Sequence, residues 1–330
     1  MAVRIRLFLV ICVTLIAAAG IYLWQSKRAA PIPNAPPELA SVTVAQVGEF
    51  FIYLPLYYAQ DRKFFEREGL KLTLVNTGGD DKSVASVIAG AADFGVGDPT
   101  FAAIAKEQGQ DVKVIASVVN GVPFWGVTRR PNLAPITAPN QLKGLSVATF
   151  PKPSTAYVLQ EAMFRAGSLK PSIREAQFGS LLPLLDSGAV DIVLELEPNV
   201  STAVANGGHV VYSLAEAYPD FAITGVTTSG KLLAERPVLA RRFFAALDAA
   251  EKAAHANPTD LIAYAEKRFP DVPPAVARAA AKRMLDAKVF PTRAQVSESG
   301  WRQAISLRLQ SGDLKNPVSA DGILASVAAR

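Results

Sequence analysis

Apolar and polar positions along the chain fall into two passages of similar make, residues 90–99 and 187–198. In each, a helix-like run ends at a glycine (Gly90, Gly188), an aspartate follows (Asp93, Asp191), and a short apolar run closes on an acid and a proline, Asp98-Pro99 and Glu197-Pro198. Glycine suits a helix end and proline cannot continue a central strand, so each passage reads as helix, turn, strand and corner. A second matching pair, Gly69-Leu70-Lys71 and Gly167-Ser168-Leu169-Lys170, stands the same distance ahead of each. Two lobes built to one plan are expected.

In the first lobe the alternation over residues 41–47 predicts a strand, and Gly48 to Tyr53 a loop rich in aromatics. The helical period of Leu56, Tyr57, Ala59, Phe64 and Phe65 predicts one helix over 55–68, closed by Gly69. Strands follow at 70–75, 94–96, 112–119 and 126–129, with helices at 82–89 and 100–108. Prolines over 131–139 interrupt regular structure, and a second lobe repeats the plan from residue 140. Its strands are expected to end at Thr149 and to run over 173–177, 192–196 and 210–212, with helices at 154–166, 181–187 and 199–205. A strand at 223–228 leads back to the first lobe, and the rest, from 236 to 310, is helical and reads as packing rather than chemistry. Strands alternating with short helices imply an α/β fold with parallel sheets covered on both faces. The expected units are 41–135 with 224–330, and 136–223, joined by a connection that crosses twice and so suits a hinge over a cleft.

Ahead of these lobes, Arg4 and Arg6 precede an uninterrupted apolar run over 7–24, followed by Lys27 and Arg28. At about 1.5 Å per residue a helix there approaches the roughly 30 Å of a bilayer core. The segment 1–28 is expected to direct the chain to a membrane and to stay as an uncleaved anchor, because the run continues through Ile21, Leu23 and Trp24 beyond the small residues Ala17 to Ala19. Prolines 31, 33, 36 and 37 make 29–40 a stiff tether.

Length and composition narrow the function. At 330 residues the chain exceeds the size at which one core stops growing. The net charge of +5 arises from 34 basic and 29 acidic side chains mixed along most of the sequence, which gives no footprint for nucleic acid. The single cysteine, Cys12, lies in the apolar run, and His209 and His255 are far apart, so neither an internal disulfide nor a Cys/His metal site is expected. No nucleophile elbow or phosphate loop is present.

The stretch Pro55-Leu56-Tyr57-Tyr58-Ala59-Gln60-Asp61-Arg62-Lys63-Phe64-Phe65-Glu66-Arg67-Glu68-Gly69-Leu70-Lys71-Leu72 resembles the opening helix of the periplasmic solute-binding proteins of the nitrate/sulfonate/taurine and thiamine-pyrimidine type. Gln141-Leu142-Lys143-Gly144-Leu145-Ser146-Val147-Ala148 is similar to their strand-leading phrase, with Asn140 in place of the common aspartate, and 187–198 is similar to their second-lobe signature. The resemblance implies a two-lobe binding-protein fold of the second topological type, no catalysis and no cofactor. It implies delivery of a small molecule to the permease and ATPase subunits of an ABC transporter outside the cytoplasmic membrane. Two alternatives share the fold: a membrane-anchored ligand sensor, and a pyrimidine-synthesis enzyme, for which the histidines fall outside the predicted cleft loops.

Ligands in open α/β sheets sit beyond the carboxyl ends of the strands. The candidates there are Phe50, Phe51 and Tyr53 after the first strand, Asn76 in the turn 76–80, and Gly97, Asp98 and Thr100 after the third. The second lobe offers Phe150, Ser154 and Thr155, then Glu195 and Glu197. Ser154 and Thr155 either cap the next helix or present their hydroxyls to an anion, and Asp98 is either a cap or a site acid. Glu195 and Glu197 face one side of an apolar strand, where two carboxylates repel unless solvent or a cation intervenes. Glu197 is therefore expected to point into the cleft. That acid, with Phe124, Trp125 and the loop rings, favours a pyrimidine-like or aminated ligand over a bare nitrate or sulfonate.

Overall fold

The structure is a computed structural model and describes residues 39–327. The expected membrane segment at 7–24 and most of the tether lie outside the described residues; among those described, no helix is long and apolar enough to cross a membrane.

The first lobe begins with β1 (Ala40–Gln46), whose alternate residues Val42 and Val44 enter the core. A 3-10 turn, Phe51–Tyr53, leads into α1 (Leu54–Asp61), which stops before Lys63, a residue at φ 62. The left-handed turn divides the expected single helix, and α2 (Phe64–Arg67) resumes in a new direction. Next come β2 (Leu70–Asn76), α3 (Asp80–Ile88), β3 (Phe94–Gly97), α4 (Thr100–Glu107) and β4 (Val112–Asn120). The chain then crosses. β5 (Trp125–Thr128), β6 (Val147–Thr149), α5 (Thr155–Ala166), β7 (Ile173–Glu175), α6 (Leu181–Asp186), β8 (Ile192–Glu195), α7 (Asn199–Ala205), β9 (His209–Ser213) and α8 (Leu214–Ala217) form the second lobe. It returns as β10 (Ala222–Ser229) and ends in α9 (Gly230–Glu235), α10 (Pro237–Ala256), α11 (Pro258–Arg268), α12 (Pro274–Asp286) and α13 (Glu298–Ser311). The last starts later than the apolar pattern suggests, where Ser297 accepts from the Gly300 amide.

Two five-stranded sheets result, ordered β2-β1-β3-β10-β4 and β7-β6-β8-β5-β9. Their plans correspond. In each, three parallel strands are followed by one antiparallel strand that has just arrived from the other lobe: β10 against β3 and β4, β5 against β8 and β9. Neither sheet is wholly parallel as expected, because a strand entering from the crossing starts at the end where its neighbours finish. Central strands β3 and β8 are buried at every position, as strands covered on both faces should be.

The crossing lies earlier than the proline run. The sequence reading counted residues 126–129 with the first lobe, whereas Trp125 to Thr128 pair with Glu195 to Ile192 in the second sheet. Outgoing and returning chains meet at Gly121, whose amide donates to the Phe221 carbonyl, and at Val122, whose amide donates to Tyr218. Gly121 sits at φ 67 with the carbonyls of Tyr218 and Pro219 against it, so a side chain has neither the backbone conformation nor the space.

Candidate functional site

The carboxyl ends of the strands in the two sheets meet. After β3, Asp98 accepts a hydrogen bond at 2.5 Å from the hydroxyl of Thr155, the first residue of α5. After β1, Phe50 packs edge to face on Phe178, from the turn that follows β7, with ring centroids 4.9 Å apart. From there a line of rings runs through both lobes: Tyr53 to Phe50 at 5.6 Å, Phe178 to Phe150 at 6.3 Å with nearly parallel planes, and Phe150 to Phe124 at 6.0 Å. Phe50 and Phe150 are half-buried and Phe178 is exposed, so part of the line reaches solvent.

Beneath the rings lies a buried polar knot centred on Arg308 of α13, which is 1% exposed. Its Nε donates to Thr100 Oγ1 at 2.9 Å, and Nη1 donates to the Pro153 carbonyl and to Asp313 Oδ2 at 2.5 and 3.0 Å. Nη2 donates to Asp98 Oδ2 and Thr155 Oγ1 at 2.7 and 3.0 Å. A guanidinium has five N–H groups, and all five are engaged. Asp98 is equally occupied: Oδ1 takes the amide and hydroxyl of Thr100, and Oδ2 takes Thr155 and Arg308. Asp98, Thr100 and Thr155, expected to contact a ligand, here tie α4, α5 and α13 to one another and have little hydrogen-bonding capacity left.

Beside this knot is a carboxyl with capacity to spare. Asp80, at the start of α3, accepts the Asp98 amide through Oδ1 at 2.7 Å, and no described residue donates to Oδ2. Gly97 makes the approach possible, because a Cβ there collides with Asp80 Oδ1. Burial, and next the charge of Asp98, push the Asp80 carboxyl from 3.8 up to about 7, against the pull of the Asp98 amide and Arg308. The buried Tyr53 phenol also has no described hydrogen-bond partner, and burial together with the Asp80 charge holds it well above its ordinary value.

The second lobe has a matching pair of acids in a different state. Glu197, expected to face the cleft, is fully buried; Oε1 takes the Ser201 hydroxyl and Arg283 Nε at 2.8 and 2.7 Å, and Oε2 takes the Ser201 amide at 2.9 Å. The cation that two neighbouring carboxylates require comes from α12, a helix read from sequence as packing alone. Glu195 is also fully buried, accepts from the Asn199 side chain and the Leu196 amide, and is pushed up to about 7 by burial.

Of the remaining candidates, Phe51 is a core residue 4.8 Å from Phe269, and Asn76 is exposed at the end of β2, where it accepts from Gln46. Ser154 caps α5, accepting from the Tyr157 amide and donating to the Phe150 carbonyl. The structure thus brings Phe50, Tyr53 and Phe150 into one line of rings with Phe178 and sets Gly97 against Asp80. Asp80 lies inside the turn that the sequence singled out, and Phe178 carried no signal beyond being an apolar residue in a polar turn.

The family model described as NMT1/THI5 like matches residues 51–261. The binding protein YtlA of Bacillus subtilis is 22% identical over 284 residues, covering 84% of this chain and 85% of YtlA. The riboflavin-binding protein RibY of Chloroflexus aurantiacus is 24% identical over 225 residues, covering 66% of this chain and 63% of RibY. Among solved structures, the periplasmic aliphatic sulphonate binding protein SsuA of Escherichia coli superposes with a TM-score of 0.68 at 16% identity, covering 90% of this chain and 94% of SsuA. The periplasmic nitrate-binding protein NrtA of Synechocystis gives 0.69 at 15% identity, covering 87% and 85%. The matched span takes in four strands of the first sheet, all five of the second and the crossing between them, and the chain belongs to the NMT1/THI5-like family.

Proposed function

We propose that this protein is the solute-binding component of an ABC importer, capturing a small organic ligand between the strand tips of its two lobes and closing over it about the crossing at Gly121. The observation that carries the reading is the line of rings from Tyr53 to Phe124, because it draws flat, partly exposed faces from both lobes onto one site. A closing two-lobe receptor needs that arrangement: each half contributes contacts that the other completes. The similar proteins are named for solutes, among them alkanesulfonates, nitrate and riboflavin, and are binding proteins rather than enzymes. His209 and His255 each lie against a backbone carbonyl, of Leu133 and Phe290, away from the rings.

The partners on this reading are permease and ATPase subunits, with the body outside the cytoplasmic membrane and residues 7–24 holding it there. A thermal-shift screen of the full-length protein against sulfonates, nitrate, aminopyrimidines, amines and polyamines tests it. A ligand at a hundredfold excess over Kd adds about 2.7 kcal/mol of stability. A chain whose melting point no member of the panel moves does not act as a receptor for these solutes.

A further inference from the structure

We propose that the Thr155 hydroxyl of the second lobe and the Asp98–Arg308 pair of the first form a reversible latch that holds the two lobes together in mid-crevice and sets how readily the crevice opens. The inference rests on the closing two-lobe reading above and names the contact that governs the closing.

Arg308 belongs to the first lobe. Its guanidinium lies 5.3 Å from the centre of the Phe101 ring of α4, and the chain after α13 is stitched to that lobe. Glu107 of α4 accepts the amides of Lys315 and Asn316, and Val114 of β4 exchanges backbone hydrogen bonds with Ile323 and Ala325. Asp98, Thr100 and Asp313, which hold the guanidinium, therefore move with it. The other two partners, the Thr155 hydroxyl and the Pro153 carbonyl, come from across the crevice. The corner is thus a complete ion pair of one lobe, to which the second lobe adds one hydroxyl and one carbonyl.

The place of the corner makes these bonds count. The chain crosses at Gly121 and Phe221, beside β4 and β10 of the first sheet and β5 and β9 of the second. The opposite sides, where Phe50 follows β1 and Phe178 follows β7, form the mouth. Strand β3, which carries Asp98, stands between crossing and mouth, so a rotation that opens the mouth must also part Thr155 from Asp98 and Arg308. Three hydrogen bonds are then lost: Thr155 to Asp98, Arg308 to Thr155, and Arg308 to the Pro153 carbonyl. No charge is orphaned, because Nη2 keeps Asp98 and Nη1 keeps Asp313, and water completes the open form. In the closed form the same groups are buried, and without the hydroxyl Asp98 Oδ2 and Arg308 Nη2 are each one partner short. The Arg283–Glu197 contact differs: with Arg283 28% exposed, water replaces it in place.

The distance between the lobes tests the proposal on the full-length protein. Spin labels go on Val75→Cys at the end of β2 and Ser180→Cys beyond β7, both exposed positions, with Cys12→Ser removing the native thiol. The labelled parent is expected to show one short distance. Thr155→Val, close in shape but without the hydroxyl, should raise the ratio of open to closed molecules about tenfold to a hundredfold, the worth of a hydrogen bond to a charged group, and add a longer distance. Thr155→Ser, which keeps the hydroxyl, should return the parent's distance. Phe178→Ala releases the mouth and, combined with Thr155→Val, should enlarge the long-distance population further. A single short distance in both Thr155→Val and the double variant overturns the latch, and so does a parent already spread over long distances. Opening in Thr155→Ser as large as in Thr155→Val overturns it too, because loss of the hydroxyl is then not the cause. Each of these failures is separate from that of the receptor reading, since a solute that moves the melting point stands whether or not the lobes are latched at Thr155.

Discussion

At the first acid–proline corner Asp98 is 7% exposed and its arginine, Arg308, 1%; at the second, Glu197 is wholly buried but Arg283 is 28% exposed. The same sequence phrase has been completed in both lobes by an arginine from the C-terminal helices, yet the two pairs are physically unlike. Arg308 is enclosed, uses every donor, and joins residues of both sheets. Arg283 joins α12 to the end of β8 and keeps part of its guanidinium in water. Each corner also has a companion acid pushed up to about 7, Asp80 in the first and Glu195 in the second, and here the contrast reverses: Asp80 is the open one. Duplication supplied two similar frames, and only in the first is the companion acid part-exposed.

The largest effect that separates the corners is expected from removing the arginines. Arg308→Ala leaves Asp98 buried beside Asp80 with no cation, which should cost about 3–5 kcal/mol in urea-induced unfolding. Arg283→Ala exposes Glu197 to water on the side the guanidinium leaves, so its cost should be smaller, about 1–2 kcal/mol. Equal losses in the two variants erase the distinction, and a larger loss in Arg283→Ala inverts it.

The frames were legible in the sequence because duplication and punctuation are local. Gly90 and Gly188, Asp93 and Asp191, and the two acid–proline corners fixed strand ends from residues adjacent in the chain. The arginines were not legible. Arg283 and Arg308 lie 86 and 210 residues from the acids they hold, in helices whose periodicity speaks only of packing. Physical reasoning did find the vacancy, since two buried carboxylates on one strand demand a cation, but a demand does not name its supplier. For the same reason the pairing of Glu197 with Arg283 has no signal in the sequence: which acid is held by an arginine depends on pairings at long range. Phe51 and Phe50 are neighbours with opposite fates, one in the core against Phe269 and one on the ring line, because a 3-10 turn separates their directions.

The companion acids give a second, intermediate contrast, read from stability against pH. Burial raises Glu195 from 4.5 to about 7 in the folded chain. Between those values the unfolded chain has released a proton that the folded chain keeps, so the wild-type protein loses stability as pH rises through the window, and loses no more above it. Glu195→Gln does not titrate. Whatever its offset from the replaced acceptor, its stability relative to wild type should climb by about 2–3 kcal/mol from pH 4.5 to 7. Asp80→Asn should show the same sign over the window from 3.8 to about 7, with a rise of about 3 kcal/mol for a shift of that size. Denaturation curves at four or five pH values decide it. Parallel profiles for wild type and Glu195→Gln mean that Glu195 is ionised in the fold, and parallel profiles for wild type and Asp80→Asn mean the same of Asp80.

The smallest effect concerns the rings and asks whether the contrast between lobes extends to ligand contact. Phe178 is 44% exposed, so Phe178→Ala removes little core and should change stability by under about 1 kcal/mol. What it removes is one edge-to-face partner of Phe50 and one near-parallel partner of Phe150, each worth about 0.5–1.5 kcal/mol when a ring or a ligand completes the pair. A planar ligand inserted along the line should therefore bind severalfold more weakly to Phe178→Ala. Phe124→Ala supplies the control. Phe124 is 8% exposed and ends the same line inside the second lobe, so its loss should appear mainly as a stability decrease and only weakly as lost affinity. If Phe178→Ala shifts the melting point more than Phe124→Ala, or leaves affinity unchanged, the exposed ring belongs to the packing between the sheets, and ligand contact must come from the first lobe alone.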